Sequence, residues 1–134
     1  MAFKVGNSHE QVVIEDVNRT HIVKYAGASG DFNPLHHDDP VAKNAAGYPS
    51  VFAHGMLSMG LTGKMLTDWL GPNSLREYGV RFTRQVWPGD TLTAGGEVTA
   101  VEGADGGKQR VTIHVVTRNQ KGEAVVEGEA IAEV

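Results

Sequence analysis

The 134 residues carry 12 basic and 16 acidic side chains, a formal net charge of −4 at pH 7, with 40% hydrophobic residues, 21% charged residues and no cysteine. This balance is globular rather than disordered, the missing cysteines exclude a disulfide-stapled scaffold and thiolate chemistry, and the lack of a basic excess argues against a nucleic-acid partner. One domain over residues 1–134 is expected, large enough to bury a core of its own.

The amino-terminal MAFKVGNSHE has no long apolar run, so no secretory leader is expected. No uninterrupted apolar stretch is long enough to span a membrane, and a cytoplasmic location is compatible with the missing cysteines. Residues 11–16, QVVIED, are short and β-branched and predict a first strand. Asn18 or Thr20 can cap a short helix reaching about Ala28, with Ile22, Val23 and Ala26 on its half-buried face. Asp31 to Pro40 reads as a loop, because Asn33-Pro34 and Asp39-Pro40 favour turns and a residue before proline avoids the helical region. Pro40 to Ala46 predicts one or two helical turns, ended by Gly47 and Pro49.

Gly55 to Leu70 is the longest helical segment, spanning about 24 Å. Its apolar residues cover most of the circumference, which predicts a helix buried on nearly all sides. Gly60 and Gly63 each weaken it by roughly 1 kcal/mol, so close approach of another backbone is the expected reason for them. Gly71-Pro72 stops it.

Beyond Asn73 the hydrophobic period falls to two. Leu75–Val86, Thr91–Val101, Arg110–Arg118 and Glu123–Ile131 predict strands, separated by turn-forming residues at 88–90, 103–107 and 119–122. Their short connections predict an antiparallel meander, with Gly95-Gly96 as a kink or bulge. The fold class is α+β: about five antiparallel strands curled around one long central helix. The outer face of such a sheet meets water or a second copy of the chain.

Asp31 and His36 lie five residues apart, a spacing that sends side chains to opposite faces of a straight strand. With Asn33-Pro34 turning the chain they can converge on one water, as a proton-transfer pair working near neutral pH. The competing interpretation is that Asp31 and Asn33 merely shape a turn and His36 is an ordinary loop histidine.

The run Ala28-Ser29-Gly30-Asp31-Phe32-Asn33-Pro34-Leu35-His36 resembles the signature of the MaoC-like dehydratases, the (R)-specific enoyl-thioester hydratases of the hot-dog fold. Asp38 and the alanines at 42, 45 and 46 fit the same run. Ala53-His54-Gly55-Met56-Leu57 resembles that family's helix start. Tyr78–Phe82 and Val86–Leu92 resemble its next strand and turn. The likeness is strongest to the catalytic subunits of actinobacterial (3R)-hydroxyacyl-ACP dehydratases. It implies Asp31 and His36 as the catalytic pair, Asn33 as orienter of the loop, and the Gly55 N–H as oxyanion donor. It also implies reversible addition of water to a trans-2-enoyl thioester carried by CoA or acyl carrier protein, in fatty-acid metabolism, with a 3R-hydroxy product. The physics agrees: enolate charge builds on the thioester oxygen, a helix amino terminus offers free N–H groups, and one such donor is worth about 3–4 kcal/mol in the transition state.

Other residues have bland readings beside them. His37-Asp38-Asp39 looks like a metal cluster, but adjacent residues seldom share one ion, and the chemistry calls for neither metal nor cofactor. His54 either lines the site or makes a structural hydrogen bond. Met56 and Leu57 are core residues or walls of an acyl tunnel. Arg76, Arg81 and Arg84 are solvated strand residues or contacts for a phosphate of the thioester carrier. A homodimer is expected, with a heterodimer containing another hot-dog subunit as the alternative assembly. A hot-dog thioesterase is the alternative activity, and the intact Asp-x-Asn-Pro-x-His loop argues against it.

Overall fold

Val111, Ile113, Val115 and Thr117 are buried and alternate with more exposed neighbours. Their strand lies at the centre of a five-stranded antiparallel sheet. The computed structural model describes residues 2–134. Met1, the first residue of the stretch read for a leader and of the expected domain, lies outside the described residues. The strands are β1 (Ser8–Ile14), β2 (Leu75–Phe82), β3 (Leu92–Gly103), β4 (Gln109–Arg118) and β5 (Ala124–Glu133). The helices are α1 (Arg19–Ser29), α2 (Asp39–Asn44) and α3 (Gly55–Leu70). Among the described residues, no helix is long and apolar enough to cross a membrane.

The strand order is β1-β3-β4-β5-β2, which corrects the expected meander. Only β3, β4 and β5 follow one another as hairpins. β2 crosses to the far edge and pairs with β5, from Leu75 opposite Ala132 to Phe82 opposite Val126. The two free edges are therefore β1 and β2.

The larger core joins Met65 and Leu66 of α3 to Ala94, Val98, Val111, Ile113, Val115, Ala130 and Ala132 of the sheet. A smaller one, around Val17, Ile22, Ala53, Val86, Leu92, Val125 and Val126, lies beneath α1 and the segment leading into α3. On α1, Ile22 and Ala26 are buried, whereas Val23 is 56% exposed and leaves the expected face.

Three expectations about α3 and its glycines are corrected. The helix is not enclosed all round: Met56, Gly60, Lys64 and Asp68, four residues apart, form an exposed stripe. Its most buried residues include two polar ones, Ser58 and Thr62. The Thr62 hydroxyl donates to the Ser58 carbonyl at 2.9 Å and also hydrogen-bonds the Thr117 hydroxyl. Gly60 faces open space, and a Cβ on Gly63 would meet the Tyr78 ring at 3.3 Å, so neither marks a backbone crossing. The close backbone approach is at Gly128 of β5, against Gly79 and Val80 of β2, whereas a Cβ on Gly96 would touch the Ile113 and Trp69 side chains at 3.0 Å. Gly95 and Gly96 pair in regular register with β1 and β4, and the irregular step lies between Val98 and Ala100. Tyr78 ties β2 to α3 by donating its hydroxyl to the Met59 carbonyl at 2.7 Å, and burial pushes its pKa up to about 12.

Candidate active site

The loop between α1 and α2 is built by its own side chains. Gly30 closes α1 in the left-handed region, at φ 75° and ψ 10°, and its N–H donates to the Ala26 carbonyl. The Asp31 carboxylate accepts from the Asn33 N–H at 3.2 Å, and the Asn33 side chain accepts from the Leu35 N–H at 3.0 Å. These two Asx turns, with Pro34 at its start, wind Pro34–His36 into one 3₁₀ turn. The turn carries His36 back toward Asp31.

A second segment, residues 48–54, straps this loop to α3. The Val51 N–H donates to Asp39, the Phe52 N–H donates to the Leu35 carbonyl at 3.3 Å, and the Ala53 N–H donates to the Val86 carbonyl at 2.8 Å. The Phe52 carbonyl accepts from His36 Nδ1 at 2.6 Å. Because a carbonyl oxygen only accepts, the proton on this ring sits at Nδ1 and Nε2 keeps its lone pair. His54 is 1% exposed, donates Nε2–H to the Asp31 carbonyl at 3.0 Å, and stacks on His36 with centroids 3.9 Å apart.

Asp31, His36 and His54 therefore converge, each offering a donor atom within 4.8 Å of the others. Burial lowers the His36 pKa from 6.5, with smaller pushes in the same direction from His54 and His37. The Phe52 carbonyl and Asp31 oppose them. The neutral imidazole is favoured near pH 7, with one nitrogen fixed and the other free to take a proton.

His37, Asp38 and Asp39 do not gather. His37 Nε2 donates to the Phe32 carbonyl at 3.0 Å, Asp38 caps α2, and Asp39 accepts from Val51 and pairs with Arg19 at 3.0 Å. Hydrogen bonds from the Val51 N–H and Arg19 hold the Asp39 carboxyl below its ordinary pKa.

Gly55 is the first residue of α3 and lines a cleft of about 230 Å³, with Ala53, Ser58, Phe82, Arg84 and Val86 also on its walls. The Phe82 ring fills the space where a Gly55 side chain would stand, 2.9 Å from an ideal Cβ. Asp31 and His36 are not among the cleft walls. The two halves of the expected site meet only through the His54–Gly55 step. Met56 is 56% exposed, and Leu57 packs on the smaller core. Arg84 lines the cleft and pairs with Glu123 at 3.2 Å, Arg76 pairs with Glu133 at 3.5 Å, and Arg81 lines a separate hollow on the sheet. Sequence reasoning missed Ser58 and Phe82. Ser58 occupies a polar position amid apolar helix residues, which was the available signal.

The model of the MaoC like domain matches residues 2–121. The chain belongs to the MaoC-like domain family. This MaoC-like chain is 39% identical over 107 residues to the 3-oxo-4,17-pregnadiene-20-carboxyl-CoA hydratase beta subunit of Mycobacterium tuberculosis, covering 79% of the chain and 78% of that protein. It is 48% identical over 64 residues to the peroxisomal hydratase-dehydrogenase-epimerase of Saccharomyces cerevisiae, covering 48% of the chain but only 7% of that much longer protein. Among solved structures, the (R)-hydratase from A. caviae involved in PHA biosynthesis superposes with a TM-score of 0.85 at 29% identity, covering 99% of this MaoC-like chain and 98% of that one.

Proposed function

We propose that this MaoC-like chain is a hydro-lyase that reversibly adds water to trans-2-enoyl thioesters, or removes it from (3R)-3-hydroxyacyl thioesters, carried by CoA or acyl carrier protein. The observation that carries the reading is the convergence of Asp31 and a singly anchored, neutral His36 with His54, the residue immediately before the amino end of α3. Asp31 and His36 hold the water. Its oxygen bonds C3, its proton passes to His36 Nε2, and the C2=C3 electron pair moves onto the thioester oxygen. The Gly55 N–H stabilises that oxyanion. C2 then takes a proton from the acid–base pair, and the carbonyl re-forms.

The reading takes residues 1–134 as one hot-dog domain working in the cytoplasm of a fatty-acid-metabolising cell. It also requires a second hot-dog chain, first as a homodimer and otherwise as a heterodimer. Three observations support that requirement: the unpaired outer edge of β2, the 51% exposure of Phe82 and 56% exposure of Met56 beside Gly55, and a relative that is itself named a beta subunit.

Crotonyl-CoA tests the activity. Loss of the enoyl absorbance without release of free thiol is the expected result. Thiol release would instead show hydrolysis and overturn the hydro-lyase reading. Light scattering on the same preparation is expected to give twice the chain mass. An inactive monomer, activated only by another hot-dog subunit, would establish the heterodimer.

A further inference from the structure

His54 makes contact with both halves of the proposed acid–base pair. Its Nε2–H reaches the Asp31 main-chain carbonyl at 3.0 Å and does not engage the Asp31 carboxylate. Its ring lies on the His36 ring at 25° between planes, with Tyr25 on it at 4.9 Å. It is also covalently joined to Gly55 at the start of α3.

We infer that His54 is a positioning residue that locks the Asp31–His36 pair to the amino end of α3. The inference rests on the hydration reading above. The Phe52 carbonyl fixes the His36 ring in its own plane, and the His54 face stops it tipping out of that plane. The hydrogen bond to Asp31 holds the main chain between the Gly30 turn and the Asn33 turn. A residue selected for packing alone would leave no polar atom stranded. His54 leaves its Nδ1 buried without a partner among the described residues, which opposes folding. What the imidazole supplies in return is a flat face and an N–H donor in one side chain.

The groups facing His36 are His54 from the start of α3, Asp31 from the loop, His37 on its own turn, and the Phe52 carbonyl from the strap. His54 pushes the His36 titration downward, so its removal raises the midpoint.

Two variants separate the contributions. His54→Phe keeps the flat face and loses the donor; His54→Gln keeps a donor and loses the ring. Each is expected to lower kcat on crotonyl-CoA at least about tenfold with KM within about threefold, because the buried side chain acts through its neighbours rather than on substrate. NMR titration of the His36 imidazole is expected to show a raised midpoint in both. A folded variant with wild-type kcat and an unmoved His36 midpoint overturns the inference. So does failure of both variants to fold, since His54 would then be a folding residue. If the wild type fails to turn over crotonyl-CoA, the hydration reading falls, and the NMR titration still decides whether His54 positions His36.

Discussion

Asp31→Asn and His36→Ala are each expected to slow hydration of an enoyl-CoA by about 100-fold or more while the protein stays folded. Asp31 is exposed, and among the described residues its carboxylate accepts only the Asn33 N–H, a bond that an asparagine oxygen can also accept. What asparagine lacks is the charge that holds the water and balances a protonated His36. The alanine variant loses the bond to the Phe52 carbonyl, which costs about 1 kcal/mol, too little to unfold a domain of this size. Circular dichroism and thermal melting beside the rate assay check both points. Wild-type activity should also fall on the acid side. With the His36 pKa below 6.5, its neutral form is present above that value and is lost as pH drops through the depressed pKa. Stability runs in the same direction: the unfolded chain binds this proton more readily, so the His36 contribution is intact above 6.5 and declines toward acid. A variant retaining more than a tenth of the wild-type rate would remove that residue from the chemistry.

Gly128→Ala is expected to cause the largest loss of stability. Gly128 of β5 sits opposite Val80 of β2. A Cβ there would overlap the Gly79 carbonyl oxygen and lie 2.7 Å from the Val80 Cα. Both obstacles are backbone, so no rotamer change relieves the clash. β2 must move off β5, taking with it the Tyr78 anchor on α3 and the Phe82 ring over Gly55. The cost should reach roughly 3 kcal/mol, or about 10 °C in Tm, at the upper end of what overpacking produces. Gly60→Ala is the control, because its Cβ would enter open space in mid-helix. It should melt no lower than wild type, since alanine favours the helix by about 1 kcal/mol. Equal melting temperatures for the two variants would contradict the packing described for β2.

The sequence carried the elements better than their arrangement. Helix α3 runs from Gly55 to Leu70 as its flanking glycines require, and the strands lie within a few residues of the period-two segments. Alternation records which face of a strand is buried, but not which strand lies beside it, so the pattern alone suggests β2 beside β3, where the sheet puts it beside β5. The roles of the glycines are hidden for a related reason. Gly96 matters because Trp69 and Ile113 reach it from distant parts of the chain, and nothing local marks that meeting. At the site, the Asp31–His36 turn was legible because Gly30, Asn33 and Pro34 are local instructions. The burial of His54 and the strap through Phe52 were not, since both depend on contacts 16 to 23 residues away in the chain.

The order of the strands also dictates a folding schedule. β3, β4 and β5 are joined by tight connections and can zip together early. β1 must wait for β3 across more than half of the polypeptide, and β2 for β5 across more than a third of it. The turn carrying Asp31 and His36 lies in the chain between those two strands, so the proposed site is expected to assemble only after the three central strands have paired.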